Sequence, residues 1–211
     1  MKVLLVNGSP HKKGCTYTAL NEIAKTLKEE GIRSELFWID KKPLAGCTAC
    51  KTCAKSGRCV FDDRVNDFLD IACDADGFIF GSPVHYAAAG GAITSFMNRV
   101  FYADMHSGRQ SFYLKPAAAV VSSRRAGTTS AFDQLNKYFT ISEMPVISSR
   151  YWNMVHGSNP EDVEKDLEGL QTMRVLARNM AFFLKCREAG LKAGVPLPTR
   201  EERIFTNFIR D

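Results

Sequence analysis

Short apolar runs alternate with amphipathic stretches along the whole chain. Val3-Leu4-Leu5-Val6, within Lys2–Val6, has no polar alternation, the pattern of a strand buried on both faces. Over Thr16–Glu30, Ala19, Ile23 and Leu27 recur at helical spacing and Gly31 closes the helix. Ser34–Ile39 predicts a second strand, and residues 40–62 a polar, cysteine-rich loop. From Asp63 a helix carries Val65, Phe68, Leu69 and Ala72 on its inner face. Phe78-Ile79-Phe80 is a third buried strand ending at Gly81-Ser82-Pro83. A helix over Ala92–Phe101 follows, then a strand at Ala117–Val121 and a helix over Thr128–Phe139. Pro145-Val146-Ile147 reads as the final strand, and Asp162–Ala189 as one long helix before an irregular tail beyond Gly194.

Five strands alternating with five helices specify an α/β fold: a doubly wound parallel sheet with helices on both faces. No repeat or linker divides the chain, so residues 1–211 read as a single domain. It carries a cysteine-rich loop at 40–62 and a C-terminal helix plus tail at 160–211. Ligands of such sheets bind at the carboxyl ends of the strands, where the strand order reverses. The loops after strands one, three and four are therefore where chemistry is expected.

Composition narrows the class without naming it. A chain of 211 residues buries about 70% of its unfolded surface, so it needs no disulfide or metal to hold a core. With 45% hydrophobic and 24% charged residues it is neither disordered nor low-complexity. A net charge of +5 attracts anionic cofactors but is too small to argue for nucleic acid. No segment approaches the roughly 18 apolar residues of a membrane span, and the apolar N-terminal run is too short for a secretory signal. The expectation is a cytoplasmic protein with no membrane partner.

After strand one, Gly8-Ser9-Pro10-His11-Lys12-Lys13-Gly14-Cys15-Thr16 opens the first helix. Unpaired backbone N–H groups there sit at the positive end of the helix dipole. Ser9 and Thr16 add hydroxyls, and His11, Lys12 and Lys13 add positive potential, an arrangement that suits a monophosphate. It is neither a Walker A loop nor a G-x-G-x-x-G fingerprint. The plain alternative is an ordinary strand-to-helix turn with Thr16 as N-cap and Cys15 as a packing thiol. After strand three, Pro83 stiffens the exit, Tyr86 offers a flat aromatic face and His85 a polar edge. His85 as a simple exposed histidine is the competing reading. Ala87-Ala88-Ala89-Gly90-Gly91 leaves room for a ligand or a second subunit.

Cys47-x2-Cys50-x2-Cys53-x5-Cys59 is the sharpest signal in the chain. Three thiolates at successive x2 spacings can surround one face of a 4Fe–4S cubane, with the fourth arriving through the turn at Gly57. Zinc sites more often use two separated C-x2-C pairs, and a redox dithiol needs only one pair; all three readings stay open. Lys51, Lys55 and Arg58 lie between the thiols and would favour a reduced, more negative cluster, which so little apolar cover would leave labile to oxygen. Cys73 and Cys186 fall on helical stretches and read as buried small hydrophobes.

Val6-Asn7-Gly8-Ser9-Pro10 with Gly14 and Thr16, then Gly81-Ser82-Pro83-Val84-His85-Tyr86 and Ile93-Thr94-Ser95-Phe96-Met97-Asn98-Arg99, resemble the flavodoxin-like NAD(P)H-dependent FMN reductases. The cysteine cluster resembles that family's iron–sulfur flavoprotein branch. The resemblance implies a flavodoxin-like five-stranded sheet of order 2-1-3-4-5. It also implies FMN with its phosphate at Ser9, His11, Gly14, Cys15 and Thr16. The ring would lie against Pro83, Val84, His85 and Tyr86 and against Ser123, Arg124, Arg125 and Gly127. His11 stands where many relatives carry arginine, and Ser122–Thr128 replaces a commonly Gly-rich segment.

The function so implied is an FMN-dependent oxidoreductase that takes electrons from NAD(P)H, or from a reduced carrier, and delivers them to a small-molecule or protein acceptor. The cofactor carries the chemistry, so no general acid or base is named. Adjacent Arg124 and Arg125 at a helix start call for an anion, either an NADPH phosphate or the negative edge of a reduced flavin. The alternative is a solvated surface pair. Two other functions compete: a flavodoxin-type electron carrier, disfavoured by the missing acidic face, and a cysteine-based redox sensor. In the C-terminal helix Val163, Leu167, Leu170, Ala177, Ala181 and Leu184 read as one apolar stripe. Met173, Leu176, Met180 and Phe183 read as a second. The second stripe needs cover from the tail (Ile204, Phe205, Phe208, Ile209) or from a second subunit, and a homodimer is expected.

Overall fold

The computed structural model describes residues 1–202, 204, 206 and 208; Phe205 and Ile209 of the expected tail lie outside them. The strands are β1 (Lys2–Asn7), β2 (Arg33–Trp38), β3 (Gly77–His85), β4 (Ala88–Ala89), β5 (Ala117–Ser123) and β6 (Met154–His156). The helices are α1 (Cys15–Glu29), α2 (Thr52–Ser56), α3 (Arg64–Ala72), α4 (Gly91–Ser107), α5 (Thr128–Ile141), α6 (Pro160–Lys165) and α7 (Leu167–Lys192). The parallel strands run in the order β2-β1-β3-β5-β6, with β4 folded back antiparallel on the end of β3. The five parallel strands thus keep the expected flavodoxin-like order, and β4 is an addition to it.

Strand periodicity divides the core into two layers. Leu4, Val6, Phe78, Phe80, Ala119 and Val121 face α3, α4 and α5. Val3, Leu5, Ile79 and Val120 face α1 and α7. Each large apolar side chain so buried contributes roughly 1.5–3 kcal/mol. The first layer is rich in aromatics: Phe68 lies edge-on to Phe96 at 5.3 Å and Phe78 edge-on to Phe112 at 4.9 Å.

Several expectations are corrected. Pro145-Val146-Ile147 is not the last strand; Val146 makes only an isolated bridge to Ala117. The buried Asn153 amide donates to Ala119 O at 3.0 Å, and Val121 N donates to Asn153 O. The strand proper is therefore delayed to Met154. The long C-terminal helix is broken at Asp166, whose carboxylate accepts from Gly169 N at 2.9 Å and from His156 N at 2.7 Å. A local acceptor of this kind competes with a continuous helix and fixes the start of α7 to β6. The two stripes of α7 are one face: Met173, Leu176, Ala177, Met180, Ala181 and Leu184 are buried together against the sheet, while Leu167 is exposed. The stripe that called for a second subunit is thereby already covered. Cys73 and Cys186 are exposed, not buried. Among the described residues no helix is long and apolar enough to cross a membrane.

Candidate functional site

Three loops meet at the carboxyl ends of β1, β3 and β5. Gly8 N donates to Gly81 O at 2.9 Å, joining the first loop to β3. Thr16 Oγ1 and Ser122 Oγ share a hydrogen bond at 2.8 Å, joining it to β5. Trp38 Nε1 donates to Ser9 O at 2.8 Å, closing the β2 side. Inside the first loop Ser9 N donates to Asn7 Oδ1 (3.0 Å), His11 N to Ser9 Oγ (3.1 Å) and Asn7 Nδ2 to Lys12 O (3.1 Å). The turn is fixed in shape by its own side chains.

Gly14 is the N-cap of α1, and no side chain caps the helix. Its first-turn N–H groups are left for an anion, with His11, Lys12 and Lys13 exposed around them. Thr16 is buried and its hydroxyl is engaged with Ser122, so it is not the N-cap. Cys15 is half-buried, its thiol 3.7 Å from Gly157 O, and burial pushes its pKa up. That favours a neutral packing thiol over a nucleophile.

The second loop is a hairpin. Val84 and His85 pair with Ala89 and Ala88, so Tyr86 and Ala87 are the two turn residues. Both have left-handed backbone, at φ 50° and 57°. Such turns normally take Asn-Gly, and each non-glycine residue costs about 1–2 kcal/mol there. At the tip of this turn the Tyr86 ring is fully exposed. Pro83 and Val84 are half-buried beneath it and His85 is exposed.

The third loop packs against this hairpin. A side chain at Gly127 (φ 88°) would meet Ala87 Cα at 2.6 Å, and Ser130 Oγ donates to Ala87 O at 2.8 Å. Ser123 Oγ donates to Arg125 O at 3.1 Å. Arg124 and Arg125 are exposed, and among the described residues neither forms an ion pair. Ala87→Gly should relieve the turn strain against an unfolded-chain entropy cost of about 0.4–1 kcal/mol. The expected outcome is a net gain of roughly 0.5–1 kcal/mol, read in urea unfolding of the flavin-free protein.

Sequence reasoning missed two features. Tyr151 and Trp152, ring centroids 4.9 Å apart, line a cavity of about 450 Å³ with Thr128, Thr129 and His156, just beyond the arginine loop. No motif announces them, because they lie in the irregular segment before β6. The other is Arg99. It is 1% exposed, and its carboxylate partner is Asp63, at 2.7 and 2.9 Å. Its sequence signal was an arginine on the inner face of α4, beside Phe96 and Val100.

Cys47, Cys50, Cys53 and Cys59 line one cavity together with Phe61 and Arg99. α2 buries Cys53, and Gly57 (φ 72°) turns the chain toward Cys59. Asn66 Oδ1 accepts from Cys59 N at 2.9 Å, and Asn66 Nδ2 donates to Cys59 O and Phe61 O at 3.0 Å each. Arg99 Nε and a terminal guanidinium nitrogen both lie 3.2 Å from Cys59 Sγ. Burial opposes the Arg99 charge, but Asp63 and Cys59 more than offset it, and its pKa stays above the ordinary arginine value. Hydrogen bonds from Thr52 lower the pKa of Cys50, while burial raises that of Cys53. Arg58, expected to act on the cluster, is spent on Asp70 at 2.7 and 2.8 Å. The cavity also has more apolar cover than expected, from Val60, Phe61, Tyr102 and Ala103. Among the described residues no group of three or more His, Cys, Asp or Glu side chains is arranged to hold a metal ion.

A parallel sheet of this order, with three mutually bonded loops at its carboxyl ends, defines a flavodoxin-like protein. Solved structures share that fold. RosB with a bound formylated riboflavin phosphate aligns with a TM-score of 0.70 at 13% identity, covering 100% of this chain and 94% of its own. The Paracoccus denitrificans flavoenzyme FerB, an NAD(P)H:(acceptor) oxidoreductase, aligns with a TM-score of 0.63 at 17% identity, covering 88% and 97%. By sequence, an iron–sulfur flavoprotein of Methanocaldococcus jannaschii is 31% identical over 194 residues, covering 88% of this chain and 98% of its own. Residues 1–159 match the NADPH-dependent FMN reductase family. The chain belongs to that family and is an FMN-dependent oxidoreductase.

Proposed function

We propose that this protein binds FMN with the phosphate at Ser9–Thr16 and the ring between Pro83–Tyr86 and Ser123–Gly127. In this reading it takes electrons from NAD(P)H and passes them to an acceptor, with a 4Fe–4S cluster on Cys47, Cys50, Cys53 and Cys59. The observation that carries the reading is the bonded ring of loops around the uncapped start of α1, with a four-cysteine cavity in the same chain. When bound, FMN supplies hydride acceptance and one- or two-electron release, and the cluster supplies single-electron transfer.

The residues have separate tasks. α1 N–H groups and the flanking cations hold a phosphate without a metal. Tyr86 covers one side of a flat ring and excludes water from it. Arg124 and Arg125 offer free cations to a nucleotide phosphate, and the Tyr151–Trp152 cavity beside them can seat a flat ring. One finding favours the cluster over zinc: the M. jannaschii relative is named an iron–sulfur flavoprotein. Open thiols in this number suit a reducing, cytoplasmic setting. A homodimer remains part of the proposal; the Ala87–Gly91 segment is itself filled, with Ala89 and Gly90 buried and Ser130 and Gln134 bonded to it.

Anaerobic mixing with NADPH tests the donor: the flavin absorbance should bleach within the mixing experiment. Arg124→Ala or Arg125→Ala should raise the KM for NADPH about tenfold, the worth of one charge-assisted hydrogen bond, with kcat nearly unchanged. A flavin that neither NADPH nor NADH reduces would leave an electron carrier in place of the reductase.

A further inference from the structure

Arg99 is unusual for its position. Its α4 neighbours Phe96, Met97, Val100 and Phe101 are core residues, and burying a charge among them is costly unless it is paired. Asp63 supplies the pairing. It is the N-cap of α3, accepting from Val65 N, and both of its oxygens accept from the guanidinium. Asp63 alone would satisfy the charge. Arg99 nevertheless aims two further N–H donors at a single sulfur, Cys59 Sγ, each at 3.2 Å. The same guanidinium lies 4.8 Å from the Phe61 ring and donates to Phe61 O and Ala45 O at 3.4 Å. It thereby clasps both arms of the cysteine loop from inside the core.

We propose that Arg99 is the positioning residue of the iron–sulfur site: it fixes Cys59 Sγ as an acceptor and raises the reduction potential of the cluster held there. The inference rests on the cluster reading above. The physical basis is direct, since hydrogen bonds to cluster sulfurs and nearby positive charge both favour the more negative, reduced state. Arg58 does not supply this effect, because its donors go to Asp70 and, among the described residues, none of its bonds reaches a thiol. Arg99 is 1% exposed, so its two bonds to Cys59 Sγ do not compete with solvent, and they act beside a charge that Asp63 balances.

The test is an EPR-monitored redox titration of anaerobically prepared protein carrying iron and sulfide. Arg99→Gln removes the charge and most of the donors, and Arg99→Lys keeps the charge but cannot donate twice to Sγ while pairing with Asp63. The cluster potential should become more negative in both, further in the glutamine variant, with the FMN content unchanged. If Arg99→Gln does not fold, Arg99→Lys decides alone. A merely structural arginine would lower thermal stability and leave the potential where it is, and that result overturns the role of Arg99 while the cluster stands. Wild-type protein that takes up no iron–sulfur cluster overturns the cluster and this inference together.

Discussion

Cys53→Ser should remove iron from anaerobically prepared protein, from about four per chain to none, while leaving its FMN in place. Cys53 is the buried member of the four, carried on α2 and enclosed by the loop rather than displayed on it. An exposed thiol can be replaced by a neighbouring side chain or water. A buried one has no substitute, and a serine oxygen is a hard, poor ligand where soft thiolates bind. The flavin should survive because the two sites touch indirectly. Arg64, at the start of α3, donates to Trp38 O at 3.2 and 2.9 Å, and Trp38 Nε1 reaches Ser9 O. Neither contact involves Cys53. Iron and sulfide assays alongside flavin released by denaturation measure both quantities on one sample. Retained iron would remove Cys53 from the ligand set, and lost flavin would show that the two sites fold as one.

How much of this was legible beforehand varies with the range of the interaction. The five-strand pattern, the three loops and the cysteine cluster are local signals, and unbroken apolar runs marked the buried strands at Val3–Val6 and Phe78–Phe80. What escaped was set by distant partners. Asn153 serves Ala119 with its side chain, so the last strand begins at Met154 and not at Pro145. Asp166 is bonded to His156 N, which turns one expected helix into α6 and α7. Arg58 adjoins Cys59 in sequence yet acts elsewhere, whereas Arg99, forty positions away, holds the sulfur. Thr16 was read for its hydroxyl, which the fold spends on Ser122. In each case the partner of one polar side chain was not readable, and at Asn153 and Asp166 that partner also moved the boundary of an element.

Gly8→Ala should cost about 1–3 kcal/mol of stability and weaken FMN binding about tenfold or more, with Gly8→Val worse on both counts. A Cβ on Gly8 would sit 2.6 Å from Ile93 Cβ and 2.7 Å from Gly81 O. The first contact belongs to α4 and the second to the backbone of β3, so no flexible side-chain end can yield. The neighbouring strand is closely packed on its other side too, since a Cβ at Gly81 would lie 2.8 Å from Thr16 Cγ2. The remaining escape is for the first loop to lift away, breaking the Gly8 N–Gly81 O bond that aims it. Loss of one aligned contact in a phosphate cradle is worth about 1.4 kcal/mol, a tenfold change in Kd. Gly190 supplies the control: it lies inside α7 with nothing closer than Val195 Cβ at 4.0 Å from its would-be Cβ. Gly190→Ala should therefore raise stability by about 0.8–1 kcal/mol through helix propensity and leave FMN affinity alone. Urea unfolding and FMN fluorescence titration of the two variants should move in opposite directions for stability and apart for affinity. An unchanged FMN Kd in Gly8→Ala would mean that the first loop does not hold the phosphate.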